Sequence, residues 1–425
     1  MKKFLLLLLL VLLLGIALIY WSVSSTDKEF ERGQLINIDN VASVNFKDYD
    51  SVLIAASFLY EGESIKKLIQ GEQYREAWAT PIKAPVVFLD TLFGGMRIIK
   101  EGGGNQTHSL KLKAPNNIVY TLRSVNKDPQ PLIPEFLRAL GLENIVVDGI
   151  SAQHPYGAIL VAELAESSQV LHTHPKLVFV PKQEILGDFN DKYGNRLFLL
   201  EYESDSEENW TALENIVEIL DTDDLQEFKR DNPQAVSVDK HALVRSRLFD
   251  FLIGDWDRHT KQWGWAMQKT NNQYVAIPIA ADRDNAFFNI EGVIPSLIAN
   301  KNIEPMLRPF KKDIDYLPGL VYPFDRYFLL NTPESVFIEE AKFLQQKLTD
   351  KTIEAALHVW DKAIVELDGK QIVEKIKSRR DHLVQYATEF KKIIDERGKL
   401  HEALKGSDDI KLPDELIACF ECGSD

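Results

Sequence analysis

Hydrophobic positions open the chain as one run: residues 4–21 carry no charge, and only Gly15 interrupts their apolar and aromatic side chains. As a helix the run spans about 27 Å, close to the roughly 30 Å hydrocarbon core of a bilayer. Beyond it the pattern breaks into short pieces. Residues 35–92 mix apolar runs at 51–59 and 84–89 with a helix-spaced patch at 64–70, which reads as the start of an α+β lobe. Alternation predicts strands at 96–100, 108–112 and 118–125, the first two joined across Gly102, Gly103 and Gly104. Helical spacing follows at 133–140 and 156–167, then strand-like runs at 177–180 and 197–202. The acidic stretch 203–208 reads as a loop at a lobe boundary. Asp239 is placed to cap a helix running to Ile253, and 274–279 reads as a strand. From 333 to 405 nearly every apolar residue falls on a helical period, while the tail 406–425 has no clear pattern.

Composition narrows the class. With 49 basic and 64 acidic residues the net charge is −15 and the pI about 5.2, which argues against a nucleic-acid backbone as partner. Hydrophobic residues make up 45% of the chain, enough for a large core. Cys419 and Cys422 are the two cysteines, so packing holds the body together; in an exported tail they read as a small-loop disulfide. Lys2 and Lys3 precede the apolar run, whereas Asp27, Glu29 and Glu31 follow it. The positive-inside rule therefore predicts a cytoplasmic N-terminus and an extracytoplasmic body, in a periplasm, envelope or secretory lumen. The length of the run and the bulky Tyr20 and Trp21 beside it predict an uncleaved anchor.

The densest chemical signal is the stretch from Phe249 to Gln262, containing Gly254-Asp255-Trp256-Asp257-Arg258-His259, with Asp282-Arg283-Asp284-Asn285-Ala286-Phe287 downstream. Phosphoryl transfer needs a carboxylate to orient the attacking hydroxyl and oxygen ligands for the divalent ion that bridges nucleotide phosphates. Asp257, Gln262 and Asp282 supply that set. Asp257 and Gln262 lie five apart, the offset between Asp and Asn in the kinase catalytic loop. The same carboxylates, with Asp255 and Asp284, would also serve a metal-dependent phosphoester hydrolase, although only His259 among the histidines sits in these motifs.

The string Gly-Asp-Trp-Asp-Arg-His, a strand, and then an Asp with a Phe five residues on resembles atypical kinases of the HipA, spore-coat CotH, Golgi casein kinase and phosphatidylinositol 4-kinase group. Residues 74–81, 102–107 and 120–125 resemble exported bacterial proteins with the same core. The resemblance implies an α+β, two-lobed protein-kinase-like fold with a C-terminal helical region, preceded by one transmembrane helix. Its expected divisions are an anchor over 1–25, an N-terminal lobe with a glycine hairpin over 26–203, a C-terminal lobe with the catalytic and metal motifs over 204–332, a helical region over 333–405 and a tail over 406–425. It implies Asp257 as the catalytic residue, Asp282 as the metal ligand with Gln262 and with Asp284 as the competing choice, Mg²⁺ or Mn²⁺ as the ion, and ATP as phosphoryl donor. The nucleotide side would comprise Gly102, Gly103, Gly104, Gln106, Thr107, Arg123, Glu163 and Glu201. Arg123 would stand for the phosphate-binding lysine, braced by Glu163, and Glu201 would lie at a hinge touching the adenine.

Two positions depart from that pattern. Arg123 replaces the lysine, with Lys111 or Lys113 as substitutes, and Gln262 stands where relatives carry Asn. These departures motivate a second reading, a degenerate kinase-like binding or scaffold protein of the envelope. The acceptor hydroxyl, on a protein, a glycan or a lipid, is open. The bland alternatives are capping carboxylates at Asp257 and Asp282, a plain turn at the glycines, a solvated Glu163 and a surface Arg123. His259 is expected to brace its loop, and Trp256, Trp263 and Trp265 to pack around it.

Overall fold

The computed structural model describes the chain except residues 27–31, 39, 104–106, 129, 407–409 and 423–425. The apolar run forms the helix Lys2–Ser22, with a mean hydropathy of 3.0 and exposed side chains along its length, long and apolar enough to cross a membrane. Its last turn is fixed to the body. Gln70 Nε2 donates to Ser22 Oγ at 2.9 Å, and Asn144 Nδ2 donates to the carbonyls of Val23 and Thr26 at 3.1 and 2.6 Å.

Three sheets follow in chain order. β1 (Gln34–Leu35), β2 (Ser51–Ala55) and β3 (Ile82–Pro85) make a small antiparallel sheet, with the expected helix Ser64–Gln70 between β2 and β3. β4 (Arg97–Gly102), β5 (Ser109–Lys113), β6 (Val119–Ser124), β7 (Lys176–Val180) and β8 (Arg196–Tyr202) form an antiparallel sheet in the order β4-β5-β6-β8-β7. The glycine segment thus does join a hairpin. Successive side chains of a strand face opposite ways, and β8 uses both faces. Leu197 and Leu199 join the core beneath the helix Gly157–Ser167, whereas Phe198 and Leu200 pack with Leu110, Leu112 and Leu122 on the other side.

The acidic stretch is tied down: Glu203 takes Lys111 at 3.0 Å and its carbonyl accepts from Trp210 Nε1 at 2.9 Å. After it come β9 (Ile216–Asp221), β10 (Val236–Val238), β11 (Trp263–Thr270) and β12 (Gln273–Ala280), in the order β10-β12-β11-β9. Asp239 Oδ1 accepts from the Ala242 N–H at 2.9 Å and caps the helix Lys240–Ile253 as expected. That helix ends at Gly254, whose φ of 68° is left-handed; a Cβ there would meet the Phe310 ring at 2.5 Å.

The helical periodicity past residue 333 becomes Glu334–Lys347, Lys370–Asp381 and Leu383–Arg397 with shorter turns between. Phe390 packs against Phe251 and Phe337, with ring centroids 4.9 and 5.5 Å away, and so joins this bundle to the helix Lys240–Ile253. The patternless tail holds a short helix, Asp414–Ala418, and buries Phe420 against Phe328 at 5.1 Å; Cys419 and Cys422 form a disulfide.

Candidate active site

Gly254 turns the chain out of a buried helix into the segment 255–262, which carries Asp257. β11 and β12 then form a hairpin that returns the chain to this segment and delivers Asp282. Arg258 fastens the two strings together. Its Nη1 donates to the Ala281 carbonyl at 2.7 Å and its Nη2 to the Gln262 carbonyl at 3.2 Å, while the Ala281 N–H donates to Gln262 O at 3.1 Å. The Phe287 N–H reaches back to Ile253 O at 2.8 Å.

A buried ionic network supports this clasp. Asp250 Oδ2 accepts from Arg247 and Arg258 at 2.8 and 3.1 Å, and Oδ1 accepts from Arg283 at 3.0 Å; Arg247 also pairs with Asp325 at 2.6 Å. Burial acts against the Asp250 charge, but the three guanidinium groups prevail and hold its carboxyl below the ordinary range. Trp263 stacks on Phe324 at 4.9 Å and lies under Arg258 at 4.6 Å, the packing role expected for it.

The other wall comes from β6 and the turn after it. Arg123 Nη1 lies 3.0 Å from Asp282 Oδ2, and its Nε donates to Glu201 Oε1 at 3.1 Å; Glu201 in turn accepts from Thr173 Oγ1 at 2.6 Å. Lys127 Nζ pairs with Asp284 Oδ2 at 2.6 Å. Asn285 accepts from Gln153 at 2.7 Å and donates to Asp257 Oδ2 at 3.5 Å. His259 Nε2 stands 3.8 Å from Asp257 Oδ1 and 3.5 Å from Gln262 Nε2, and its Nδ1 accepts from the Lys261 N–H, so it does brace its turn.

The charges explain one another. Burial raises the Asp257 carboxyl above its ordinary value, opposed by His259 and reinforced by Asp284. Burial and then the charge of Asp282 raise Asp284. Asp255 is buried and pushed well up; its Oδ1 accepts from the Asp257 N–H at 3.1 Å and fixes the turn. Arg123 is held ionised above its ordinary value, since Asp282, Glu201 and Asp284 together outweigh the cost of its burial.

This crowd of carboxylates suits a hard divalent cation, which prefers oxygen ligands. Asp282 Oδ1 is buried and makes no hydrogen bond among the described residues, the state of an oxygen awaiting a ligand. Asp282 itself sits at a left-handed φ of 51°, a conformation that non-glycine residues hold chiefly where the surroundings enforce it.

Two expectations need correction. Glu163 does not brace Arg123; Glu201 and Asp282 do. The helix Gly157–Ser167 turns Glu163 with Ile159 and Glu166 toward a separate cavity beside Trp360, as i, i+3, i+4 spacing requires. Glu201, read as a hinge residue, is buried as the partner of Arg123. Lys111 is engaged by Glu203. Among the glycines, Gly103 has a φ of 99° and a Cβ there would lie 2.1 Å from Thr107 O, so the turn requires glycine. Gly104 and Gln106 lie outside the described residues. Lys127, Asn285 and Asp250 escaped the sequence reading, although Asp250 and Asn285 stand inside the quoted motifs; a lysine three residues past the third hairpin-sheet strand was the one signal for Lys127.

No family model matches the chain, and no curated protein matches it. Among solved structures it is similar to the Helicobacter pylori proinflammatory kinase CtkA, at 14% identity over 72% of this chain and 97% of that one, with a TM-score of 0.37. It is also similar to a chain of the Shewanella oneidensis toxin–antitoxin complex of HipA, HipB and operator DNA, at 12% identity over 74% of this chain and 68% of that one, with a TM-score of 0.31. Both likenesses are remote, and the functional reading rests on this chain's own residues.

Proposed function

We propose that the chain is a membrane-anchored phosphotransferase that moves the γ-phosphoryl group of ATP to a hydroxyl of a protein, glycan or lipid outside the cytoplasm. The observation that carries the reading is the clasp at Arg258, which sets the Asp257 turn against the Asp282 strand end in the crevice walled by Arg123. Asp257, raised by burial, is a stronger base than an ordinary aspartate and would orient the acceptor hydroxyl and take its proton. Asp282, with Asp284 and Gln262, would hold Mg²⁺ or Mn²⁺. The bound ion would neutralise phosphate charge during transfer. Arg123 would offer its planar fork to phosphate oxygens, and the Gly103 turn would let the backbone approach them.

The anchor belongs to the same reading. Around the end of the apolar helix, Tyr20 donates to the Leu140 carbonyl at 2.6 Å, and Leu68, Leu140, Val293 and Leu297 are exposed. The helix Ser64–Gln70 touches both the anchor and the helix Val293–Ile298. A bilayer surface is the natural neighbour of such a collar, and the disulfide suits an oxidising compartment.

One observation favours the second reading, a nucleotide-binding protein without turnover: Arg123 already occupies Asp282 Oδ2. Incubating the detergent-solubilised chain with γ-labelled ATP, Mn²⁺ and extracytoplasmic proteins separates the two. Label transfer that Asp257→Ala and Asp282→Ala both abolish supports the phosphotransferase. ATP binding with no transfer supports the degenerate protein, and transfer that persists in both variants refutes the site.

A further inference from the structure

Away from the crevice, the last turn of the helix Gly157–Ser167 and the segment before β7 bring Glu166, His172 and His174 together, with one ligand atom from each lying within 4.8 Å of the others. Glu166 Oε1 is 3.0 Å from His174 Nδ1 and 3.9 Å from His172 Nε2. The three residues share the wall of a cavity of about 550 Å³.

His172 supplies the decisive detail. Its Nδ1 is 3.0 Å from the Val170 carbonyl. A carbonyl only accepts, so Nδ1 carries the proton and Nε2 presents its lone pair. That Nε2 is buried and makes no hydrogen bond among the described residues. A histidine fixed through one nitrogen to a carbonyl, with the other nitrogen free, is the arrangement by which proteins orient a metal ligand. A buried nitrogen without a partner is otherwise a cost with no return.

We propose that Glu166, His172 and His174 bind one divalent transition-metal ion of the Zn²⁺ class. Two imidazoles and a carboxylate are a known three-ligand set for tetrahedral zinc, the fourth position being left to water or another ligand. Here that position opens to the cavity. Ligand atoms around such an ion stand roughly 3.3 Å apart, so the site closes by small rotations of the exposed Glu166 and the half-buried His174. Glu163 and Asp361 add two further carboxylates to the cavity wall, which offset Lys83 and Lys176 there. Because His172 also forms a β-bridge with Ala280, two residues before Asp282, the ion would brace the helix against the strand that delivers the candidate active-site carboxylate.

The test uses the chelator-treated, untagged full chain in detergent with saturating Mg²⁺, titrated with Zn²⁺ by calorimetry and with Co²⁺ by visible absorption. The expected results are one equivalent of Zn²⁺, a rise in Tm on binding, and Co²⁺ bands of a four-coordinate nitrogen and oxygen site. Glu166→Gln, at an exposed position, should weaken binding by at least about 10-fold, and the His172→Ala, His174→Ala double variant by more than about 100-fold. Asp282→Asn should leave the titration unchanged, which separates this site from the crevice. Absence of stoichiometric binding to the wild-type chain, or binding that survives both the Glu166 and the double variants, would overturn the proposal. Should the double variant fail to fold, the Glu166→Gln titration decides.

Discussion

Arg123 Nη1 lies 3.0 Å from Asp282 Oδ2, so a strand residue of the five-stranded sheet is joined by an ion pair to the second residue past β12. The same guanidinium reaches Glu201 at 3.1 Å. A phosphate arriving in the crevice would find the fork already aligned, and a lysine could not engage both carboxylates with the same geometry. Arg123→Lys should therefore weaken ATP binding by about 10-fold and Arg123→Ala by up to about 100-fold, the range expected for losing hydrogen bonds to a charged group. Equilibrium binding of a fluorescent ATP analogue measures both; unchanged affinity in the alanine variant would remove Arg123 from the nucleotide site.

Asp250 faces three buried arginines, and removing it leaves them without their shared anion. Loss of one member of a buried ionic cluster costs about 3–5 kcal/mol. Asp250→Ala should destabilise the chain by that order, read as a lower midpoint in urea unfolding. A midpoint equal to wild type would show that the network does not support the Asp257 turn.

The acid limb of activity should report Asp257. Its folded pKa lies above the ordinary value because burial, and then Asp284, disfavour the carboxylate, with His259 opposing. Removing the negative charge at Asp284 also releases Lys127, and both changes favour ionised Asp257. Asp284→Asn should move the Asp257 titration to lower pH, as followed by carboxyl-carbon NMR. Movement to higher pH would contradict the electrostatic account.

Much of this arrangement was legible in the sequence, and the failures have physical causes. The glycine hairpin, the Asp239 cap and the helix Ser64–Gln70 follow from local rules: alternation, capping chemistry and helical spacing. The motifs around Asp257 and Asp282 were visible because their residue types are costly to place together without a purpose. The partner of Arg123 was not visible. It depends on β6 pairing with β8, which sets Arg123 opposite Leu199 and brings Glu201 within reach, and that pairing joins segments more than seventy residues apart. β11 was missed because its start, Trp263-Gly264-Trp265, reads as a continuation of the motif; its pairing with β12 on one side and β9 on the other shows it to be a strand. The tail looked featureless because its order comes from Phe420 packing on Tyr327 and Phe328 rather than from any period.

The membrane reading makes a prediction about orientation. Lys2 and Lys3 open the helix Lys2–Ser22 ahead of its apolar run, and its last turn is bonded to the body through Gln70. A reporter enzyme fused to the C-terminus should be exposed outside the cytoplasm, and Leu140→Glu with Leu297→Glu should loosen the body from the bilayer, seen as faster protease cleavage near residues 22–26. A protected reporter would contradict the topology.

The central claim is that Asp257 and Asp282 serve one ion-bound nucleotide between the sheet wall and the helical part of the chain. Anomalous diffraction from crystals grown with Mn²⁺ and a non-hydrolysable ATP analogue locates the ion directly. The account predicts manganese bound to Asp282, the analogue's phosphates against Arg123, and Asp257 facing the γ-phosphate. Nucleotide bound elsewhere, or manganese with no contact to Asp282, would contradict it.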